Sequence, residues 1–132
     1  MTRFDAETPK DRRALAEDAI AAHRERDSAF LTLEAELPAE TTDEDAVAPW
    51  IQLAEDTLNL DCTDTELDRL KSLLDEYPSF TVDELVRPEE AEGTNARILA
   101  RTDDERIAQF VEDAFRQVYE QDEEYLLWAA GV

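Results

Sequence analysis

Apolar residues recur along the chain with two distinct periods, and the switches between them outline the elements. Thr8-Pro9-Lys10-Asp11 opens a helix. A threonine can cap it, and proline suits the first helical position, where the N–H it lacks would have no partner. Leu15, Ala19, Ile20 and Ala22 give this helix a weak apolar face to about Arg26. From Ala29 the period falls to two. Leu31, Leu33, Ala35 and Leu37 alternate with Thr32, Glu34 and Glu36, which predicts a half-exposed strand, with a continued helix as the alternative. Pro38 to Pro49 is a polar connection, Trp50, Ile51 and Leu53 suggest a second strand, and Glu55-Asp56 a turn. Leu58, Leu60 and Cys62 resume the alternation.

Thr63-Asp64-Thr65-Glu66 matches a capping box, in which the threonine caps and the glutamate reaches back to the cap's N–H. Leu67, Leu70, Leu74 and Tyr77 follow at helical spacing, Leu73 widens the face, and Pro78 ends the helix. Phe80, Val82, Leu85 and Val86 predict a strand with a bulge, because the alternation breaks in the middle. Residues 87–95 read as a loop, and Ala96, Ile98 and Ala100 then alternate with Arg97, Leu99 and Arg101. Thr102-Asp103-Asp104-Glu105 repeats the capping box ahead of the strongest stripe in the chain: Ile107, Phe110, Val111, Ala114, Phe115, Val118 and Tyr119. The run from Tyr125 to Val132 is apolar on both sides and too short for an ordinary helix, so it reads as a strand.

Strand, cap, helix and strand thus occur twice in succession. The order β-α-β-β-α-β predicts an α+β fold with a ferredoxin-like antiparallel sheet and two helices on one face. The expected architecture is one domain over residues 1–132. A ferredoxin-like core spans 55–132, and an extension over 1–54 adds an N-terminal helix and one or two strands. Such a sheet leaves one face open, while the last strand carries apolar residues on both sides. Either the N-terminal half covers the open face or a second subunit does. For self-association the candidate residues are Leu126, Trp128, Ala130 and Val132, and the expected partner is a second copy, giving a homodimer.

Composition changes how the polar positions are read. The formal net charge is −22, from 35 acidic and 13 basic side chains. Residues 28–68 contain no Lys or Arg, and Lys10 and Lys71 are the only lysines. A body this negative argues against binding nucleic acid or an anionic membrane through a broad basic surface. At about 1 M salt the Debye length is roughly 3 Å and the self-repulsion largely disappears. Acid excess with scarce Lys and Arg as the surviving cation is expected of a cytoplasmic protein from a salt-rich cell. No run approaches the roughly 20 apolar residues of a membrane span, and no secretory leader is visible.

A resemblance supports that environment. Residues 63–132, especially Leu73-Leu74-Asp75-Glu76-Tyr77-Pro78 and the stretch from Leu85 to Asn95, resemble small uncharacterised haloarchaeal proteins. The resemblance implies a haloarchaeal source and no established activity, and it carries no functional residues.

Candidate chemistry is sparse. Cys62 is the only cysteine and His23 the only histidine, which excludes an internal disulfide, a CxxC pair and a conventional zinc site within one chain. A catalytic dyad would require Cys62 to meet His23. Gly93 and Gly131 are the only glycines, so no Gly-rich phosphate loop exists. The acidic clusters, such as Asp43-Glu44-Asp45 and Asp122-Glu123-Glu124, lack the register of a calcium loop. Neither a cofactor nor a metal is expected, and no catalytic residue is assigned. Arg87, Arg97 and Arg101 are the candidate contacts for a small anionic ligand, against the alternative that nearby carboxylates pair with them. An RNA-binding role would draw on these arginines and on Lys10, Arg12, Arg13, Arg24 and Arg26. The expectation is a non-catalytic interaction or ligand-binding module that self-associates. A small carboxylate-based hydrolase is the remaining alternative; it needs two acids of raised pKa in a pocket or a bound cation.

Overall fold

A computed structural model describes residues 5–27, 29–37, 48–87 and 93–130. Seven strands form one antiparallel sheet: β1 (Asp5–Ala6), β2 (Leu31–Ala35), β3 (Trp50–Ala54), β4 (Thr57–Cys62), β5 (Phe80–Val86), β6 (Thr94–Ala100) and β7 (Leu127–Ala130). Three helices, α1 (Pro9–Glu25), α2 (Asp64–Leu74) and α3 (Asp104–Asp113), are joined by a π-helical turn at Ala114–Val118 that continues α3. The strand order is β1-β7-β2-β3-β4-β6-β5.

The alternation places one set of side chains inward. Leu33 lies opposite Ile51 and Ala129, Ile51 opposite Leu60, and Leu58 opposite Ile98, and all of these are buried. Each strand adds about one apolar residue in two to the same face, so the face is continuous from β7 to β6. All three helices bury their stripes against it, and the core forms a single cluster. The π turn keeps Ala114, Phe115 and Val118 in that core, with the Tyr119 N–H donating to the Ala114 carbonyl at 3.2 Å.

The sheet corrects the expected β-α-β-β-α-β arrangement. β4, β6 and β5 are neighbours as that order requires, but β7 does not pair with β4. The β2–β3 hairpin stands between them, and β1 makes a third additional strand. Leu31, Leu33, Ile51 and Leu53 extend the apolar face of β4, so the hairpin buries more by joining the sheet than by lying across it. An inserted pair also preserves antiparallel alternation, which lets β7 close on β2. The N-terminal helix joins the other two on the covered face. Among the described residues, then, no N-terminal element covers the opposite face.

Helix boundaries follow local chemistry. Thr8 Oγ1 accepts from the Asp11 N–H at 3.2 Å with Pro9 in the first turn. The Thr63 box is complete: Thr63 Oγ1 accepts from Glu66 N–H, and the Glu66 carboxylate accepts from Thr63 N–H at 2.9 Å. The second box does not form, and the cap moves by one residue. Asp103, not Thr102, caps α3, its carboxylate accepting from the Arg106 N–H at 2.8 Å. The bulge in β5 falls between Val82 and Glu84.

The buried face of α1 is Arg12, Ala16, Ala19, Ile20 and His23, with Leu15 only partly buried. Arg12 is fully buried and forms a two-pronged ion pair with Glu112 of α3, at 2.7 and 2.8 Å. It also donates to the Glu7 and Tyr125 carbonyls and lies 3.9 Å over the Tyr125 ring. The Tyr125 hydroxyl donates to Glu112 at 2.9 Å. One guanidinium thereby ties α1, α3 and the entry to β7 together. Burial by itself would lower the Arg12 pKa, but the bonds and charge of Glu112 outweigh it and the net shift is upward.

Candidate functional site

The outward side chains of the sheet form a polar surface with two aromatic residues. Glu34 on β2 lies opposite Trp50 on β3 and Trp128 on β7, so both tryptophans of the chain flank one carboxylate. Trp128 is 42% exposed, Ala130 is exposed and Trp50 is half-buried. In the next row Ala130, Thr32, Gln52, Asn59, Arg97 and Glu84 follow one another across six strands. Tyr125, Leu127 and Ala129 face the helices instead, so one side of the last strand is buried and the other is not. Leu126 is half-buried just before β7, and Val132 lies outside the described residues.

The three candidate arginines do not converge. Val86 lies opposite Asn95, which puts Arg87 at one end of β6 and Arg101 at the other, roughly 23 Å apart at about 3.3 Å per residue. Arg87 pairs with Asp64 and Arg97 with Glu84, each at 3.2 Å and largely exposed. Such exposed pairs hold a side chain only weakly. Arg101 is exposed, with no ion pair among the described residues. The N-terminal basic cluster is depleted by the fold: Arg12 is internal, and Arg24 bonds Asp104 at 2.9 Å and Asp56 at 3.2 Å.

At the end of the sheet where β4 and β5 finish and β6 begins lies a wide-mouthed cavity of about 960 Å³. Its wall includes Trp50 from β3, Asp61 and Cys62 from β4, the first turn of α2, and Thr94 from β6. Tyr119, just past the π turn, closes one side, its hydroxyl donating to the Asp61 carbonyl at 2.7 Å. Arg69 donates to the Val118 carbonyl at 2.9 Å and pins the end of that turn. Gly93 has φ +98, and a Cβ there would lie 2.8 Å from the Cys62 carbonyl oxygen, so only glycine permits the close approach of β4 and β6. Asn95 donates to Asp61 at 2.8 Å and to Asn59. Segments 38–47 and 88–92, which adjoin this region in sequence, lie outside the described residues.

Burial pushes the Cys62 thiol up to about 11, and nearby Glu66 and Asp61 act in the same direction. The Tyr119 hydroxyl is raised too, first by burial and then by Cys62. Cys62 therefore stays a protonated core thiol at neutral pH. His23 is buried in the last turn of α1, and its Nδ1 has no hydrogen-bond partner. Among the described residues, no three His, Cys, Asp or Glu side chains come together as a metal-binding group. No helix among them is long and apolar enough to cross a membrane.

Sequence reasoning missed Thr94 and Tyr119 as cavity residues. Thr94 looked like the tail of a loop and Tyr119 like the last member of a core stripe. The only signal was the position of Gly93, which is one of two glycines in the chain. Nothing matches the chain among curated proteins or among solved structures. The family described as Family of unknown function (DUF7975) spans residues 1–132, and the chain belongs to that family.

Proposed function

We propose that the protein is a non-catalytic interaction module that self-associates through the open face of its sheet, in a salt-rich cytoplasm. The observation that carries this reading is the placement of both tryptophans, side by side across β2, on the face that no described element covers. Tryptophan is enriched at the centres of interfaces because it buries a large rigid area at little entropic cost. A second copy suits the face. With β3 central in the sheet, turning one copy over about an axis along β3 lays β7 of one on β6 of the other. Trp128 and Ala130 then meet the strand that carries Arg97, and a guanidinium over an indole is favourable. Molar salt screens the repulsion between two bodies of charge −22.

Size-exclusion chromatography with light scattering in about 1 M KCl, where the Debye length is near 3 Å, tests this. The expected result is a dimer for the wild type and a monomer for Trp128→Ala. A monomeric wild type, or a dimer unchanged in Trp128→Ala and in Trp50→Ala, refutes it.

A second reading, an anion-binding surface, is favoured by one observation: exposed Arg101 lacks an ion pair among the described residues. Because Arg87, Arg97 and Arg101 are strung along one strand length, the ligand would be an extended anion rather than a single phosphate. Titration with a short polyphosphate should then weaken on Arg101→Ala; an unchanged affinity removes this reading.

A further inference from the structure

Twice in this fold a guanidinium lies over an aromatic ring whose hydroxyl is bonded to a carboxylate. Arg12 sits 3.9 Å over Tyr125, which donates to Glu112, and Arg106 sits 4.2 Å over Tyr77, which donates to Asp113. A third group of the same kind, two rings and a carboxylate, lies on the open face of the sheet. Trp128, Glu34 and Trp50 are direct neighbours across β7, β2 and β3. Glu34 is exposed, and no Lys or Arg of the described residues pairs with it or lies over either indole. The two tryptophans stand two strand spacings apart, about 9.6 Å, so a cation above Glu34 lies within roughly 6 Å of both rings, close enough for a cation–π contact.

The sheet has one cation to offer. Arg97 is the only Lys or Arg in the seven strands, and it projects from the same open face, in the row of Asn59, Gln52 and Thr32. In its own copy β6 lies three strand spacings from β2, about 14 Å, which puts Glu34 out of its reach. Its partner there is Glu84, at 3.2 Å, and an ion pair so exposed holds it weakly.

We infer that Trp50, Glu34 and Trp128 form a seat for a guanidinium, and that Arg97 of a second copy fills it, leaving Glu84 as the dimer forms. This rests on the self-association proposed above and names the residues that select its partner. In the strand order β6 and β7 each lie two strands from β3, so a two-fold axis along β3 sets β6 of one copy over β7 of the other. One row, about 7 Å along the strand, separates Arg97 from the level of Trp128, and stacked sheets lie about 10 Å apart. A long side chain crosses that gap and comes to rest beside Trp128 and above Glu34. Each copy then gives one arginine and receives one, as a two-fold interface requires. Guanidinium suits the seat because it is planar, stacks on an indole and offers a carboxylate two parallel N–H bonds, whereas an ammonium is a point charge.

Sedimentation equilibrium of the full chain in about 1 M KCl, where general repulsion is screened, gives the dimer dissociation constant. Glu34→Gln and Arg97→Ala should each weaken the dimer by at least about tenfold, the usual worth of a hydrogen bond to a charged group. Arg97→Lys should weaken it too, since the charge remains but the fork is lost. Glu84→Gln should tighten it by freeing Arg97. The sharpest arm mixes two variants, one carrying a tag of different mass. Arg97→Ala keeps an intact seat and Glu34→Gln keeps an intact arginine, so the mixed dimer regains one of the two contacts and should form in preference to either homodimer. Absence of that preference, or a dimer lost in Trp128→Ala but unchanged in Glu34→Gln or Arg97→Ala, would overturn the seat while self-association stands. A monomeric wild type would overturn both.

Discussion

The two faces of the sheet are built from the same strands, with the same alternation, yet they are finished differently. On the covered face, Leu33, Ile51, Leu60 and Ile98 meet three helices, and Arg12 and Glu112 seal the joint between two of them. On the open face the ion pair of Arg97 with Glu84 is solvent-exposed, and the two tryptophans, Trp50 and Trp128, project from the same row. An ion pair inside the first face is therefore a structural joint, whereas one on the second is a detail of the solvated surface. The difference arises from solvent access: at the buried pair water cannot replace a lost partner, and at the exposed pairs it can.

That contrast can be broken most sharply at Glu112. Glu112→Ala strands the Arg12 guanidinium in the interior and should cost about 3–5 kcal/mol in denaturant unfolding at fixed salt. Replacing both members, Arg12→Met with Glu112→Leu, should recover a large part of that loss. If the single and double variants are equally destabilised, the pair is not the joint described here. Phe110→Ala, which removes a ring stacked 4.6 Å from Phe80, should cost a similar 3–5 kcal/mol.

A smaller effect comes from pH. The Cys62 pKa is raised from 9.0 to about 11, so the folded state favours the protonated thiol. Stability from this group is complete below pH 9 and is lost as pH rises from there through 11, by about 2–3 kcal/mol at most. Unfolding free energies between pH 8 and 11 should fall less steeply in Cys62→Ala than in the wild type; parallel curves would contradict the assignment. Smallest of all, Trp128→Ala and Arg97→Ala should each change the stability of the isolated chain by less than about 1 kcal/mol. A large loss from either would mean that the open face carries more of the fold than its exposure indicates.

Much of the secondary structure was legible because it depends on near neighbours. The strand alternation of Leu31–Ala35 and Leu58–Cys62, the Thr8 and Thr63 caps and the break in β5 are all decided within a few residues. The displaced cap at Asp103 shows the limit of such rules: both Thr102 and Asp103 are competent caps, and the helix used the one whose carboxylate reached the Arg106 N–H. The face of α1 was legible only in part: Ala19 and Ile20 are buried as their spacing predicts, but two of its five buried members, Arg12 and His23, are polar. Arg12 is internal only because Glu112, a hundred residues away, meets it there. The π turn left no mark on the apolar stripe, because Ala114, Phe115 and Val118 are spaced as in an ordinary amphipathic helix and are all buried. The candidate cavity was invisible for the same reason, since it gathers β3, β4, β6, α2 and the turn after α3.

The sequence by itself determined that this would be an α+β protein with a two-sided sheet, and which side chains of each strand share a face, because a period of two allows one assignment only. It also determined that carboxylates would be poor guides to chemistry, since with 35 of them in the chain some clustering is inevitable. Only the tertiary structure decided that the β2–β3 hairpin enters the sheet between β4 and β7, and that three helices crowd one face. It alone placed an arginine in the core and a threonine hydroxyl without a partner. Those outcomes depend on which surfaces meet at long range, and burial and pairing between distant residues are not encoded in any local pattern.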